Sequence, residues 1–353
     1  MEQTLDKQRV QEFARKLFGF YTSGVLTLMV DIGHKTGLFE AAAQGAGTSE
    51  AIAARAGLNE RYVREWLGAM ATGGVVEYDA ATRRFSLPAE HAACLTGTSS
   101  RNLAAGSQTV PMLAKRLPRV VESFRNGGGV SYAEYRPDFT EAQDASWRLL
   151  YDGLLIKGFL PAAKGLPERL KAGISVADLG CGTGHAVNLM AREYPASRFT
   201  GYDFGEDPIA RARAEAQAMG LANARFEVLD VTRLPAEPKF DLLTSFDAIH
   251  DQRDPAAVLR RAAEALAPGG VYLMIEPKAS SNLEDNIGNP FAPYIYGMSV
   301  LHCMTVSLAA GGAGLGTAWG QQTARRMLAE AGFASVEVVD APGPQNSIYV
   351  CRR

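Results

Sequence analysis

The apolar positions of the chain change their period once. Between residues 5 and 43, Phe13, Leu17, Phe20, Val25, Leu28, Met29 and Ile32 recur at roughly helical spacing, with more apolar surface than one buried stripe needs. A partner has to cover the surplus. TSEAIAARA (48–56) opens on two hydroxyl residues suited to N-capping and stops at Gly57, which predicts a short helix closed by a left-handed residue. Asn59 then caps a predicted helix over ERYVREWLGAMAT (60–72), and Gly73 and Gly74 close it. VVEY and RRFSL around a DAAT turn predict a hairpin of two short strands. After a helical connection over about 142–170, short apolar runs alternate with helical patterns. The predicted strands are ISVADL (174–179), RFTGYD (198–203), RFEVL (225–229), FDLLTSF (240–246) and VYLMIE (271–276). Alternation of this kind implies an α/β fold with a parallel sheet covered on both faces. VEVVD (336–340) and SIYVCR (347–352) lie too close together for a crossover and predict an antiparallel hairpin.

Helix, tight turn, helix and hairpin is the order of a winged helix, which raises the question of DNA. The second helix offers Arg61 and Arg64, but Glu60 and Glu65 flank them, and Trp66, Leu67 and Met70 need burial. The whole chain balances 38 acidic against 36 basic side chains over 353 residues, so no net positive field exists to hold a polyanion. A packing and dimerisation module fits this segment better. Hydrophobic residues at 47% and charged residues at 21% mark a chain with a real core, long enough for two domains. Cys94, Cys181, Cys303 and Cys351 form no CxxC pair, so neither a zinc cage nor a disulfide framework is read from them. MEQTLDKQRV mixes both charges where a signal peptide needs a basic start, and the longest apolar stretch is broken by Asp31. These features predict a cytoplasmic protein without membrane or nucleic-acid partners.

The strongest local signal is VADLGCGTGHAV, an apolar strand ending in Asp178 followed by Gly180, Gly182 and Gly184. The glycines permit a tight strand-to-helix turn against which a ligand can approach the backbone. A pyrophosphate there would meet the Asp178 carboxylate with no Lys or Arg in the loop, a like-charge arrangement that costs free energy. The same carboxylate suits a ligand with an ammonium and a sulfonium, as in S-adenosylmethionine. Asp203 ends the second strand, where it can accept from both ribose hydroxyls, and Asp230 follows the third, where it can accept from the adenine amino group with Val231 beside the ring.

On these residues the chain resembles the class I S-adenosylmethionine-dependent methyltransferases. DLGCGTG matches their nucleotide loop, GYDFGEDPI their ribose segment and LAPGG (266–270) the turn before their fifth strand, a resemblance that covers about residues 160–353. It implies a Rossmann-like sheet of seven strands, five parallel plus the terminal antiparallel hairpin, behind a mostly helical winged-helix domain. The expected domains are 1–140 and 141–353, with a flap inserted at about 279–320. The cofactor-binding set implied is Asp178, Gly180, Gly182, Gly184, Asp203, Phe204, Asp230, Val231 and Phe246, with no metal.

SFDAIHDQRDP ends the fourth strand. With a winged helix in front, it resembles the small-molecule O-methyltransferases of plants and polyketide-producing bacteria, whose His-Asp pair supplies a catalytic histidine. His250 stands in that place, followed by Asp251, and Glu276 is the positional match for the acid that orients it. Two departures stand out: Gln252 replaces the Trp usual after the pair, and TAWGQQT offers no second acid before strand six. A hydroxyl acceptor needs a base and imidazole is matched to pH 7, whereas a thiolate, amine or halide acceptor needs little.

Within the insertion, Tyr294, Tyr296, Met298, His302, Met304 and Leu308 recur at helical spacing, and Gly311, Gly312, Gly314 and Gly316 follow. No strand precedes that glycine run, so a mobile flap over the acceptor pocket is expected rather than a second nucleotide site; the plainer alternative is a connector whose apolar face is core. The whole arrangement is also similar to poorly characterised actinobacterial methyltransferases, whose N-terminal helices build the dimer and the roof of the active site; that resemblance implies Tyr21, Thr22 and Ser23 near the cofactor. The expectation is a homodimer that transfers a methyl group from S-adenosylmethionine to a phenolic or enolic oxygen of a small, partly apolar molecule, leaving S-adenosylhomocysteine. His250 would be the base, Glu276 its partner, and Tyr21, His250, Tyr296, His302 and Trp319 the acceptor contacts. The alternatives are a cofactor-responsive DNA-binding regulator, S- or N-methylation, and a use of S-adenosylmethionine other than methyl transfer.

Overall fold

In the computed structural model, which describes residues 5–343 and 345–353, the first helix runs over Lys7–Thr36. The first four residues of the mixed-charge N-terminus and Pro344 lie outside that range. The Asp6 carboxylate accepts from the Gln8 and Arg9 amides to start the helix, and Gly37, at φ 70°, ends it. Backbone contacts divide the chain into two units, Met1–Pro111 and Met112–Arg353.

In the first unit the predicted caps are in place. Thr48 accepts from Ala51, Gly57 closes helix Ser49–Ala56 in the left-handed region, and Asn59 accepts from Arg61 at the head of helix Glu60–Thr72. The wing strands Glu77–Asp79 and Arg84–Ser86 pair antiparallel, and Gly47 bridges to Phe85. Phe39, Ile52, Leu67 and Met70 form a fully buried centre, and the Trp66 indole N–H donates to the Met29 carbonyl at 2.8 Å. The surplus apolar surface of the first helix stays exposed, including Phe13, Phe18, Phe20, Tyr21 and Val25.

The second unit is built on a sheet of seven strands: β1 (Ser175–Leu179), β2 (Arg198–Asp203), β3 (Ala224–Val228), β4 (Phe240–Phe246), β5 (Leu266–Pro277), β6 (Ser335–Asp340) and β7 (Asn346–Arg352). Their order is β3-β2-β1-β4-β5-β7-β6, with the first five parallel and β7 antiparallel to both β5 and β6. β5 begins earlier than its apolar run suggests: Phe240 pairs with Leu266 and Leu242 with Val271, so APGG bulges out between two paired stretches. Alternate residues feed two cores. Val176, Phe199, Leu242, Leu273 and Ile275 face helix His185–Glu193 and its neighbours, while Ala177, Leu179, Leu243, Met274 and Tyr349 face helices Pro255–Ala265 and Gly320–Glu330.

Residues 112–140, grouped above with the first domain, pack within the second unit. Met112, Leu113, Val120, Val130, Tyr135 and Phe139 form a cluster with Val306, bordered by Met298, Val300 and Leu301 of the insertion. Among the described residues no helix is long and apolar enough to cross a membrane.

Candidate active site

The five parallel strands all end at one edge of the sheet, and the chemistry-bearing side chains gather there. The turn after β1 is pinned by the Tyr202 carbonyl, which accepts from the Gly180 and Cys181 amides, both at 2.9 Å. Gly182 has φ 53°, and a side chain added there would meet nothing within 4 Å, so the turn presents bare backbone to open space. Gly184 leads into helix His185–Glu193, whose His185 is held between Glu215 and Asp152 as a structural residue.

Asp178 is buried and accepts from the Thr244 hydroxyl at 2.7 Å. Burial pushes its carboxyl up to about 7 against that hydrogen bond, and the negative charge of Asp203 adds to the rise. Asp203 accepts from the Gly182 amide at 3.0 Å and the Gly205 amide at 2.8 Å, bracing the glycine turn from β2; burial raises it as well. Asp251 is pushed up to about 7 by burial, a rise that His250 opposes and the charges of Glu276, Asp247 and Asp203 increase. Buried carboxylates held above their usual range, Asp178 and Asp203 at the glycine turn and Asp251 after β4, make this edge of the sheet one that a cation relieves and an anion aggravates.

Phe204 follows Asp203 and is exposed, its ring 5.2 Å from that of Tyr132. Asp230 caps the short turn Val231–Arg233 by accepting from the amide and hydroxyl of Thr232, while Val231 is buried. Phe246 is buried at the end of β4 against Tyr151.

His250 and Glu276 meet as the sequence suggests. β4 and β5 are register neighbours, with Phe246 opposite Ile275, so the loop after β4 folds over the last residues of β5. The His250 Nδ1–H donates to Glu276 Oε2 at 2.6 Å, and the Ile249 amide donates to Glu276 Oε1 at 2.9 Å. Glu276 is fully buried and His250 nearly so. Burial alone would lower the imidazole, but the Glu276 charge, with the Cys303 thiol beside the ring, outweighs it and holds His250 well above the usual histidine range. Nδ1 is thereby committed to Glu276, which leaves Nε2 as the nitrogen for chemistry, with the Cys303 thiol beside the ring.

Asp247 went unnoticed in the sequence. It sits at φ 55°, a strained conformation for a residue other than glycine, and its Oδ1 lies 3.8 Å from His250 Nδ1 with no hydrogen-bond partner. Asp247, His250 and Glu276 bring ligand-type atoms within 4.8 Å of one another, although the His250–Glu276 pair is already joined by its hydrogen bond. The available signal was the spacing D-x-x-H-D, which sets an acid on either side of the histidine.

The expected acceptor residues lie on separate elements. Tyr296 lies on helix Ala292–Met298 and accepts from the Asn286 side chain. His302 is fully buried on the turn Ser299–Cys303. Trp319 is buried in the core beneath β5 and β7. Tyr21 is exposed on the first helix of the other unit. The glycine run has a packing role: Gly316 donates to the His250 carbonyl at 3.2 Å, and a side chain at Gly316 would lie 2.0 Å from the Ser299 hydroxyl.

A glycine turn with acids at successive ends of a parallel sheet, closed by an antiparallel hairpin, defines an open α/β cofactor-binding fold. Residues 170–332 match the family model described as a methyltransferase domain, and residues 24–97 match that of the Rv2258c-like winged HTH domain. A trans-aconitate 2-methyltransferase of Methylobacterium nodulans is 35% identical over 116 residues, which are 33% of this chain and 42% of that protein. The chain thus spans about two fifths of the length of that curated relative. Among solved structures, an O-methyltransferase family protein from Burkholderia thailandensis shares the fold at TM-score 0.67 and 18% identity, over 96% of this chain and 98% of that one. Human N-acetylserotonin methyltransferase in complex with S-adenosylmethionine does so at TM-score 0.68 and 16% identity, over 100% and 99%.

Proposed function

We propose that the chain transfers a methyl group from S-adenosylmethionine to a phenolic or enolic oxygen of a small, partly apolar molecule. The observation that carries this reading is the pairing of an acid-lined glycine turn with a buried His250–Glu276 hydrogen bond on the same sheet edge. The turn fits the cofactor on three counts: Gly182 offers open backbone, the buried Asp178 gains from a neighbouring cation, and Asp203 sets a carboxylate against the turn at the end of β2. Asp178, Gly180, Gly182, Gly184, Asp203 and Phe204 would hold it, with Asp230, Val231 and Phe246 toward the adenine. When bound, S-adenosylmethionine supplies an already activated methyl group, so the protein's remaining tasks are alignment and proton removal.

His250 Nε2 receives the acceptor's proton, and Glu276, fully buried, stabilises the imidazolium that results. A sulfur or nitrogen acceptor would leave this buried dyad with little to do. The DNA-binding alternative is disfavoured by Arg61 and Arg64, which are spent on Glu65 and Glu60 of their own helix at 2.6 and 3.0 Å. The deciding assay incubates the protein with S-adenosylmethionine and a panel of phenols, enols and thiols, and looks for S-adenosylhomocysteine together with a product heavier by one CH2. Product formed only from thiols or amines would overturn the oxygen assignment.

Asp203→Ala is expected to weaken S-adenosylhomocysteine binding by about 1 to 3 kcal/mol, because it removes charge-assisted hydrogen bonds to the ribose and the brace on Gly182. Calorimetry checks this, and unchanged affinity would remove the ribose role.

We further infer a homodimer through the first helix. Its exposed Phe13 and Phe20 lie on one side of the helix and Phe18 and Val25 on another, apolar surface that a partner has to cover. Light scattering should give the mass of two chains, and Phe18→Glu should halve it. A monomeric wild-type protein at micromolar concentration would sink the inference.

A further inference from the structure

The insertion buries the His302 imidazole completely, and neither ring nitrogen has a hydrogen-bond partner. The ring lies flat on Phe139, with centroids 3.6 Å apart and planes within 9°, and the rings of Tyr135 and Tyr132 stand edge-on at 4.6 and 6.0 Å. Such a box suits phenylalanine. A histidine in it leaves a donor and an acceptor unpaired, which costs stability that a purely structural residue would not retain. The turn that carries it, Ser299–Cys303, is π-helical, a form that recurs at functional sites.

Two neighbours tie the box to the reaction edge. The charge of His250 is felt at His302, and the charges of Asp203 and Asp251 are felt at Tyr132, which also touches Phe204. Burial, helped by the positive His250, pushes the His302 ring down to about 3, so it is neutral and offers one N–H donor and one bare acceptor nitrogen. A hydroxyl or carbonyl oxygen is the natural complement.

Building on the methyl-transfer reading, we propose that His302 determines specificity by holding a second polar group of the acceptor. The acceptor is then a planar ring with two neighbouring oxygens, one deprotonated at His250 and one hydrogen-bonded to His302, beside the ring of Tyr132. Admitting that ring requires the Ser299–Cys303 turn to shift, because the unliganded box is closed around His302.

The probes are 2,3-dihydroxynaphthalene and 2-naphthol, which differ by one hydroxyl. Each is titrated by fluorescence into the full-length protein with and without saturating S-adenosylhomocysteine, for wild type, His302→Phe and His302→Gln. Wild type is expected to bind the diol at least ~10-fold tighter, since a site built to pair a hydroxyl rejects the analogue that lacks it. His302→Phe should lose that preference while melting no lower than wild type, and His302→Gln should keep part of it. Equal affinity of wild type for both probes, binding of neither, or a preference that survives His302→Phe overturns the proposal, and equal affinity points instead to a buried water on the ring. A failure of S-adenosylhomocysteine itself to bind is read separately by calorimetry; it overturns the methyl-transfer reading, and this proposal falls with it.

Discussion

Replacing His250 by alanine is expected to lower turnover of an oxygen acceptor by ~100-fold or more, the usual worth of a positioned general base. Affinity for S-adenosylhomocysteine should be unchanged, because the glycine turn is braced by Asp203 and the Tyr202 carbonyl and owes nothing to the imidazole. The difference between the two readouts is the point of the experiment. His250 is buried, so its loss also opens a cavity and frees the Glu276 carboxylate from one of its two donors. His250→Asn, which fills part of that space and keeps a donor, should fold as well as wild type and be as slow as the alanine variant. Turnover within a few-fold of wild type in both variants would show that the imidazole only shapes the pocket. Partial recovery of His250→Ala by added imidazole would point the other way, since only a missing proton acceptor is replaced from solution.

Much of the site was legible because its signals are local. Gly57 and Asn59 announce their helix ends by residue type, and the structure places both as caps. Asp178, Asp203 and Asp230 stand at strand ends that an apolar run predicts within a residue or so. What escaped depends on register between distant segments. The approach of Glu276 to His250 was reached by resemblance alone, and its second contact, from the Ile249 amide, follows only from β4 lying against β5. The start of β5 was hidden because APGG reads as a turn, and a bulge that returns to the same neighbour leaves no trace in the pattern. The positive φ at Asp247 and the missing partners of His302 belong to the same class, since nothing in a residue's own neighbourhood states what it lacks. Asp230 shows the reverse ambiguity, for a strand-end acid that caps a turn has the same sequence signature as one that waits for adenine.

The second large effect is expected from Glu276→Gln, and its sign follows from the dyad. Glu276 is fully buried and its charge raises His250 against the effect of burial, so the base keeps its proton to higher pH than an ordinary histidine. In wild type, kcat/KM should therefore rise with pH through a value above the usual histidine pKa. Removing the charge lets burial dominate and lowers the imidazole, so the rising limb should move to lower pH. The plateau should nevertheless fall by at least ~10-fold, because a weaker base accepts the proton less readily and the amide cannot accept from both His250 Nδ1 and Ile249. Stability carries the same signature. A group raised on folding stabilises fully below its unfolded pKa and loses that contribution as pH rises through the folded value, so wild type should lose stability on the alkaline side over a window that Glu276→Gln lacks. Parallel pH–rate and pH–melting curves for the two proteins check both statements at once. A rising limb that stays in place in Glu276→Gln would mean that another group sets the pH dependence, and Asp247, 3.8 Å from the same nitrogen, would be the residue to replace next.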